Sequence, residues 1–240
     1  MSNERPLILA IDTATPCSSV ALTRGDVHQG ELVATLSLNS KITHSRRLLT
    51  GIDWLLAESN IDSADIDGLA VGLGPGSFTG LRIAMATVKG LAAAMAKPLL
   101  GVSTLDALAL NCSGVKPLCA LIDARKKEVY RRWYLQDKRG VYRPHGDIAA
   151  LTPQDLVQEL MEPSIFVGDG LFSYGEFLKA TLGDLLAMVP RTLSYPSAAA
   201  IGFLCCEQLE RGELMDLESA VPLYVRASDA ELSLVKKSNN

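Results

Sequence analysis

The chain has 240 residues, with 23 Lys+Arg against 27 Asp+Glu, a formal net charge of −4, 48% hydrophobic residues and 21% charged ones. These proportions exclude an intrinsically disordered chain, which needs fewer apolar residues and a larger net charge. The mild negative charge also argues against a stand-alone nucleic-acid binder, which draws in phosphate through a broad positive field.

The first apolar run, Leu7 to Ile11 closed by Asp12, is too short for a signal-peptide core and reads as a central strand. Pro16 turns the chain. A second strand is expected over Ser18 to Thr23, and the Arg24-Gly25-Asp26 turn leads to a third from Val27 to Leu38. From Thr43 the period changes, with Leu48, Ile52, Leu55 and Leu56 falling on one helix face. A strand over Ile66 to Leu73 precedes a long helix, Thr79 to Ala96, stopped by Lys97-Pro98. Leu99 to Val102 is another strand, and Ser103 opens a short helix to Leu110. The order is βββαβαβα. The longest apolar stretch, Leu91 to Leu110, is cut by Lys97-Pro98 and Asp106, so no membrane span is expected.

Asn111 to Gly114 marks a boundary, which predicts a first lobe over 1–110 and a second over 111–240, the last helix being free to return to the first lobe. Beyond it, strands over Pro117 to Asp123 and Glu128 to Leu135 are joined at Ala124 to Lys127. Thr152, Pro153 and Asp155 are a helix start, with Thr as N-cap and Pro in the first turn. Ser164 to Val167 is a strand ending in Gly168-Asp169-Gly170, and Pro196 to Arg211 is a helix closed by Gly212. The five cysteines form no CxxC and leave one over, as expected for reduced thiols in the cytoplasm.

The most distinctive segment is Gly72-Leu-Gly74-Pro-Gly76-Ser-Phe-Thr-Gly80-Leu-Arg82, between a strand and a helix. Free N–H groups at a helix start favour an anion. The segment is nonetheless neither a Walker A loop nor GxGxxG, and a tight turn with close backbone packing is the simpler reading. His28, His44 and His145 lie in separate segments and assemble no metal set, and HExxH is absent. The basic-aromatic stretch Arg125 to Tyr134 alternates as a strand, with Arg131 and Trp133 on one face and Tyr130, Arg132 and Tyr134 on the other. An exposed hairpin accounts for it, with RNA contact at most a supplement to a partner's surface. The Thr79 to Ala96 helix is rich in small residues on more than one side, as on a helix covered twice.

Ile8 to Thr15, Ser18 to Leu22, His44-Ser45 and Gly74 to Ile83 resemble, in order, the bacterial TsaB (YeaZ) family. Ile122 to Arg125, Glu128 to Tyr130, Gly168 to Gly170 and Pro222 to Arg226 extend the resemblance over nearly the whole chain. It implies an α/β fold of two RNase-H-like lobes, as in the actin, sugar-kinase and Hsp70 ATPases. It also implies a non-catalytic subunit that pairs with its paralogue TsaD, and with the TsaE ATPase supports threonylcarbamoylation of the adenosine beside the anticodon of ANN-reading tRNAs. Contact with tRNA would be indirect, and the isolated chain would form a homodimer. The resemblance places partner contacts on two helices, at His44, Leu48, Ile52 and Leu55 and at Arg82, Met85, Lys89 and Ala93. In that superfamily Asp12, Thr13, Gly168, Asp169 and Gly170 would mark the nucleotide site, here degenerate. No cofactor is required, and ATP or ADP would be held weakly at most. The competing expectations are a small ATPase or kinase acting on its own through Asp12 and the glycine turns, and a plain homodimeric scaffold.

Overall fold

A computed structural model of the chain describes residues 5–39 and 44–226, the side chains of 44–47 excepted. Strand β1 (Leu7–Asp12) is buried along its whole length because its two faces serve two cores. Leu7, Leu9 and Ile11 enter one and Ile8 and Ala10 the other, which is why its sequence is continuously apolar. It pairs antiparallel with β2 (Cys17–Arg24), which pairs antiparallel with β3 (Glu31–Asn39). On its other side it runs parallel to β4 (Gly68–Gly72), and β4 to β5 (Leu99–Val102). The sheet order is β3-β2-β1-β4-β5.

The second sheet repeats this plan. Strands β6 (Leu118–Arg125), β7 (Glu128–Gln136) and β8 (Tyr142–Leu151) are antiparallel neighbours, and β9 (Ser164–Val167) and β10 (Leu186–Met188) add parallel strands on the far side of β6. The two mixed α/β lobes expected from the strand order are present.

Helices α1 (His44–Glu58) and α2 (Phe78–Met95) cover one face of the first sheet. Helices α4 (Pro153–Glu159) and α5 (Gly170–Leu182) lie together and share the core on one face of the second. The inner faces exchange helices. The last helix, α6 (Ala198–Arg211), packs on the first sheet, whereas α3 (Thr104–Leu110) packs on the second, and the two touch each other. Four apolar clusters result, one on each face of each sheet.

Several element boundaries differ from the sequence expectation. The third strand starts at Glu31, not Val27, because Asp26 Oδ1 accepts the N–H groups of His28 (2.9 Å) and Gln29 (2.8 Å) and holds a turn there. Helix α2 starts one residue early, at Phe78, with Ser77 as its cap, its hydroxyl accepting the Gly80 N–H. Strands β8 and β10 have no counterpart in the sequence expectation.

Candidate functional site

Asp12, at the end of β1, is fully buried. Its Oδ1 accepts the Ala14 N–H at 2.9 Å and its Oδ2 the Thr104 hydroxyl at 2.8 Å. Thr104 in turn accepts the Gly74 N–H, and Gly74 O accepts the Thr104 N–H and the Ser103 hydroxyl. This closed ring stitches β1, the glycine loop and the start of α3 together. Burial raises the Asp12 carboxyl to about 6, against the opposing pull of its two hydrogen bonds.

The glycines of the loop serve close approach. A Cβ on Gly76 would lie 2.3 Å from Ala14 O, and one on Gly80 would lie 2.0 Å from Thr13 O. The start of α2 is occupied by the chain's own groups: the Ser77 N–H donates to Ala14 O at 2.7 Å, and the Thr13 hydroxyl to Gly80 O at 2.6 Å. An anion could take the Ser77 N–H only by displacing Ala14 O.

In the second sheet's half of the chain, Gly168 has a φ of +119°, and a Cβ there would meet Leu121 O at 1.9 Å. Asp169 precedes Gly170 at the start of α5, and its Oδ1 accepts the Asp123 N–H at 3.0 Å. Asp123 accepts the Arg125 N–H and the Ser173 hydroxyl. Burial raises Asp169 to about 6, and the charges of Asp123 and Asp12 push the same way. The Asp12 and Asp169 charges thus act on one another, with Asp12 fully buried and Asp169 half-buried. Among the described residues no group of three His, Cys, Asp or Glu could hold a metal ion, and no helix is long and apolar enough to cross a membrane.

The expected partner-facing residues divide. Leu48, Ile52 and Leu55 of α1 and Met85 of α2 are buried in the core between these helices and the first sheet, so the apolar period that defined them marks the inner face. In this chain their side chains pack inside its own core, where the resemblance implies partner contacts. The His44 side chain lies outside the described residues. Arg82 and Ala93 are exposed, and Lys89 is half-buried, its Nζ donating to Glu218 O (3.0 Å) and Ala220 O (3.3 Å). The outer face of α2 carries Thr79, Arg82, Ala86, Gly90 and Ala93. A Cβ on Gly90 would meet nothing within 4 Å among the described residues. On α1, Leu49 and Trp54 are about half exposed. Sequence reasoning missed these two, although both are apolar residues out of phase with the buried period.

The Arg125 to Tyr134 stretch is the expected hairpin, but only its turn, Arg125 to Lys127, is exposed, and the strand beyond is buried or half-buried. Its arginines are tied within the chain: Arg131 Nε donates to Glu159 Oε2 at 2.6 Å, and Arg132 Nη1 to Asp106 Oδ1 at 3.1 Å. Trp133 Nε1 donates to Glu159 and the Tyr134 hydroxyl to Asp106. Arg131 and Arg132 are thus committed within the chain, whereas Arg125, Lys126 and Lys127 in the turn are exposed.

A family model described as "TsaD: tRNA N6-adenosine threonylcarbamoyltransferase" matches residues 38–234, most of the chain. The paired mixed sheets and that match define the class, a two-lobed α/β protein of the TsaD type. The Escherichia coli protein named "tRNA threonylcarbamoyladenosine biosynthesis protein TsaB" is 34% identical over 227 residues, covering 91% of this chain and 94% of the relative. A Bacillus subtilis protein of the same name is 29% identical over 95% of this chain and 98% of its own. The structure of YeaZ from Pseudomonas aeruginosa superposes with a TM-score of 0.71 at 31% identity, covering 91% of this chain and 99% of that one. The chain belongs to the TsaB (YeaZ) family.

Proposed function

We propose that this protein is a non-catalytic subunit in the biosynthesis of tRNA threonylcarbamoyladenosine, the process for which its relatives are named. Its role is to bind a TsaD paralogue through α1 and α2 and to support threonylcarbamoylation of the adenosine next to the anticodon of ANN-reading tRNAs. TsaE joins the assembly, tRNA is met through the complex, and the setting is the cytoplasm. Without its partner the chain covers the same helices by forming a homodimer.

The observation that carries this reading is the outer face of α2. Ala86, Gly90 and Ala93 are exposed and small, and among the described residues Gly90 has no neighbour that would require a glycine. A glycine inside a helix costs about 0.5–1 kcal/mol relative to alanine, so a close approach from outside gives it a purpose. The reading of a self-sufficient ATPase or kinase fits less well. Its first phosphate-side carboxylate, Asp12, is fully buried, and the adjoining helix start is filled by Ala14 O.

The test is reconstitution with the TsaD-family protein of the same organism. Ala86→Arg should abolish co-purification and tRNA modification, because a charge buried without a partner costs several kcal/mol. Asp12→Asn should leave both largely intact. The opposite pattern, pairing kept by Ala86→Arg and modification lost in Asp12→Asn, would replace docking with nucleotide handling.

A further inference from the structure

Arg82 sits one turn into α2, exposed, yet it is held in place. Its guanidinium carbon stacks 3.8 Å from the centroid of the Phe78 ring, and its Nε donates to the Tyr224 hydroxyl at 3.3 Å. The Phe78 and Tyr224 rings themselves pack with centroids 5.2 Å apart. Tyr224 is no loose tether. The neighbouring Leu223 N–H donates to Leu73 O at 2.8 Å, Val225 packs into the second-lobe core, and Arg226 Nη1 bonds Glu128 Oε2 at 2.6 Å.

Among the described residues no carboxylate pairs with Arg82, although Arg125, Arg131, Arg132, Arg143, Arg211 and Arg226 each have one. Helix α2 contains no Asp or Glu at all. With Nε engaged and the planar face stacked, the two Nη groups are left to receive a ligand in a fixed plane. An arginine so held loses little side-chain entropy when it binds, and two parallel N–H groups match a carboxylate.

We propose that Arg82, positioned by Phe78 and Tyr224, is a pre-formed receptor for an Asp or Glu side chain of the protein that docks on α2. The inference rests on the docking reading above and adds to it the chemistry of the partner. A protein carboxylate fits better than an RNA phosphate. The other cation of α2, Lys89, already donates to two carbonyl oxygens, and the neighbouring exposed positions on the same helix face, Thr79 and Ala86, carry no charge. A phosphate track needs several free cations, whereas a single carboxylate needs one arginine and a surround that excludes water.

The experiment measures the affinity for the TsaD-family protein of the same organism for wild type, Arg82→Gln, Arg82→Lys, Tyr224→Phe and Ala86→Arg, at low and high salt, with circular dichroism on each. Arg82→Gln should weaken binding about tenfold or more and flatten its salt dependence. Arg82→Lys should not restore it, because the stacked planar fork is lost. Tyr224→Phe should weaken binding severalfold with the fold unchanged. If Ala86→Arg abolishes pairing while Arg82→Gln binds within about twofold of wild type, docking stands and the carboxylate receptor falls. If both variants bind normally, the docking reading fails and takes the receptor with it. If Arg82→Gln spares pairing but lowers the affinity of the assembled complex for tRNA, the ligand is a phosphate and the proposal is overturned.

Discussion

Gly72 and Asp12 lie so close that a Cβ at position 72 would sit 1.9 Å from the Asp12 Oδ2. The same Cβ would be 3.0 Å from the Thr104 hydroxyl that donates to this oxygen. The glycine thus seals the carboxylate into the ring it forms with Ala14 and Thr104. Gly72→Ala should push the carboxyl off both donors and cost about 3 kcal/mol or more, since broken buried polar networks give the large destabilisations. Thermal unfolding checks this, and a melting temperature within about a degree of wild type would show that the ring tolerates the methyl.

The raised carboxyls make stability depend on pH in a definite direction. Asp12 and Asp169 titrate at about 6 in the folded protein against an ordinary value of 3.8, so between these limits the folded state binds protons that the unfolded state has released. Their contribution is therefore fullest below the ordinary carboxylate value and is lost as pH rises toward 6. For Asp12 the loss is on the order of 2–3 kcal/mol. Asp12→Asn should remove part of the decline between pH 4 and 6 in urea unfolding, because Asp169 and Asp106, whose carboxyls burial also raises, remain. An unchanged slope would mean that the Asp12 carboxyl is not protonated in the folded protein.

Asp106 links α3 to the second sheet by accepting from the Tyr134 hydroxyl at 2.7 Å and from Arg132 Nη1 at 3.1 Å. Its own burial raises its carboxyl, which both partners oppose. Asp106→Ala should cost about 2 kcal/mol by stranding a part-buried guanidinium, and Asp106→Asn about half as much, since the amide oxygen still accepts. Equal stability of the two variants in urea would mean that the charge is irrelevant to the link.

How far these features could be read in advance depends on how local their signals are. The continuous apolar run Leu7–Ile11 and the glycine at position 212, φ +69°, are local signals, and β1 and the end of α6 follow them. Strand β8 was not legible because it is an edge strand containing Pro144 and Gly146, with His145 to Asp147 exposed, so it lacks the alternation of a half-buried strand. The period of Leu48, Ile52 and Leu55 announced a helix but not which side of it was covered, and these residues proved to be the inner face. The grip on Arg82 joins residues 142 positions apart, and no local pattern encodes it.

Gly90 allows folding and docking to be separated at one position. It is exposed in the middle of α2, with a regular helical backbone and, among the described residues, nothing within 4 Å of where an added methyl would lie. Gly90→Ala should stabilise the isolated chain by about 0.5–1 kcal/mol, because alanine restricts the unfolded chain and fits the helix without contact. Gly90→Arg should fold as well as wild type, its side chain reaching into water. Against a partner or a second copy the order changes. A single methyl widens a close helix approach only slightly, so Gly90→Ala should weaken pairing modestly. The arginine should prevent it and leave a monomer by light scattering. Were Gly90→Arg to pair with the TsaD-family protein as tightly as wild type, the outer face of α2 would not be the docking surface. The glycine would then be a tolerated cost in a helix that packs on one side only.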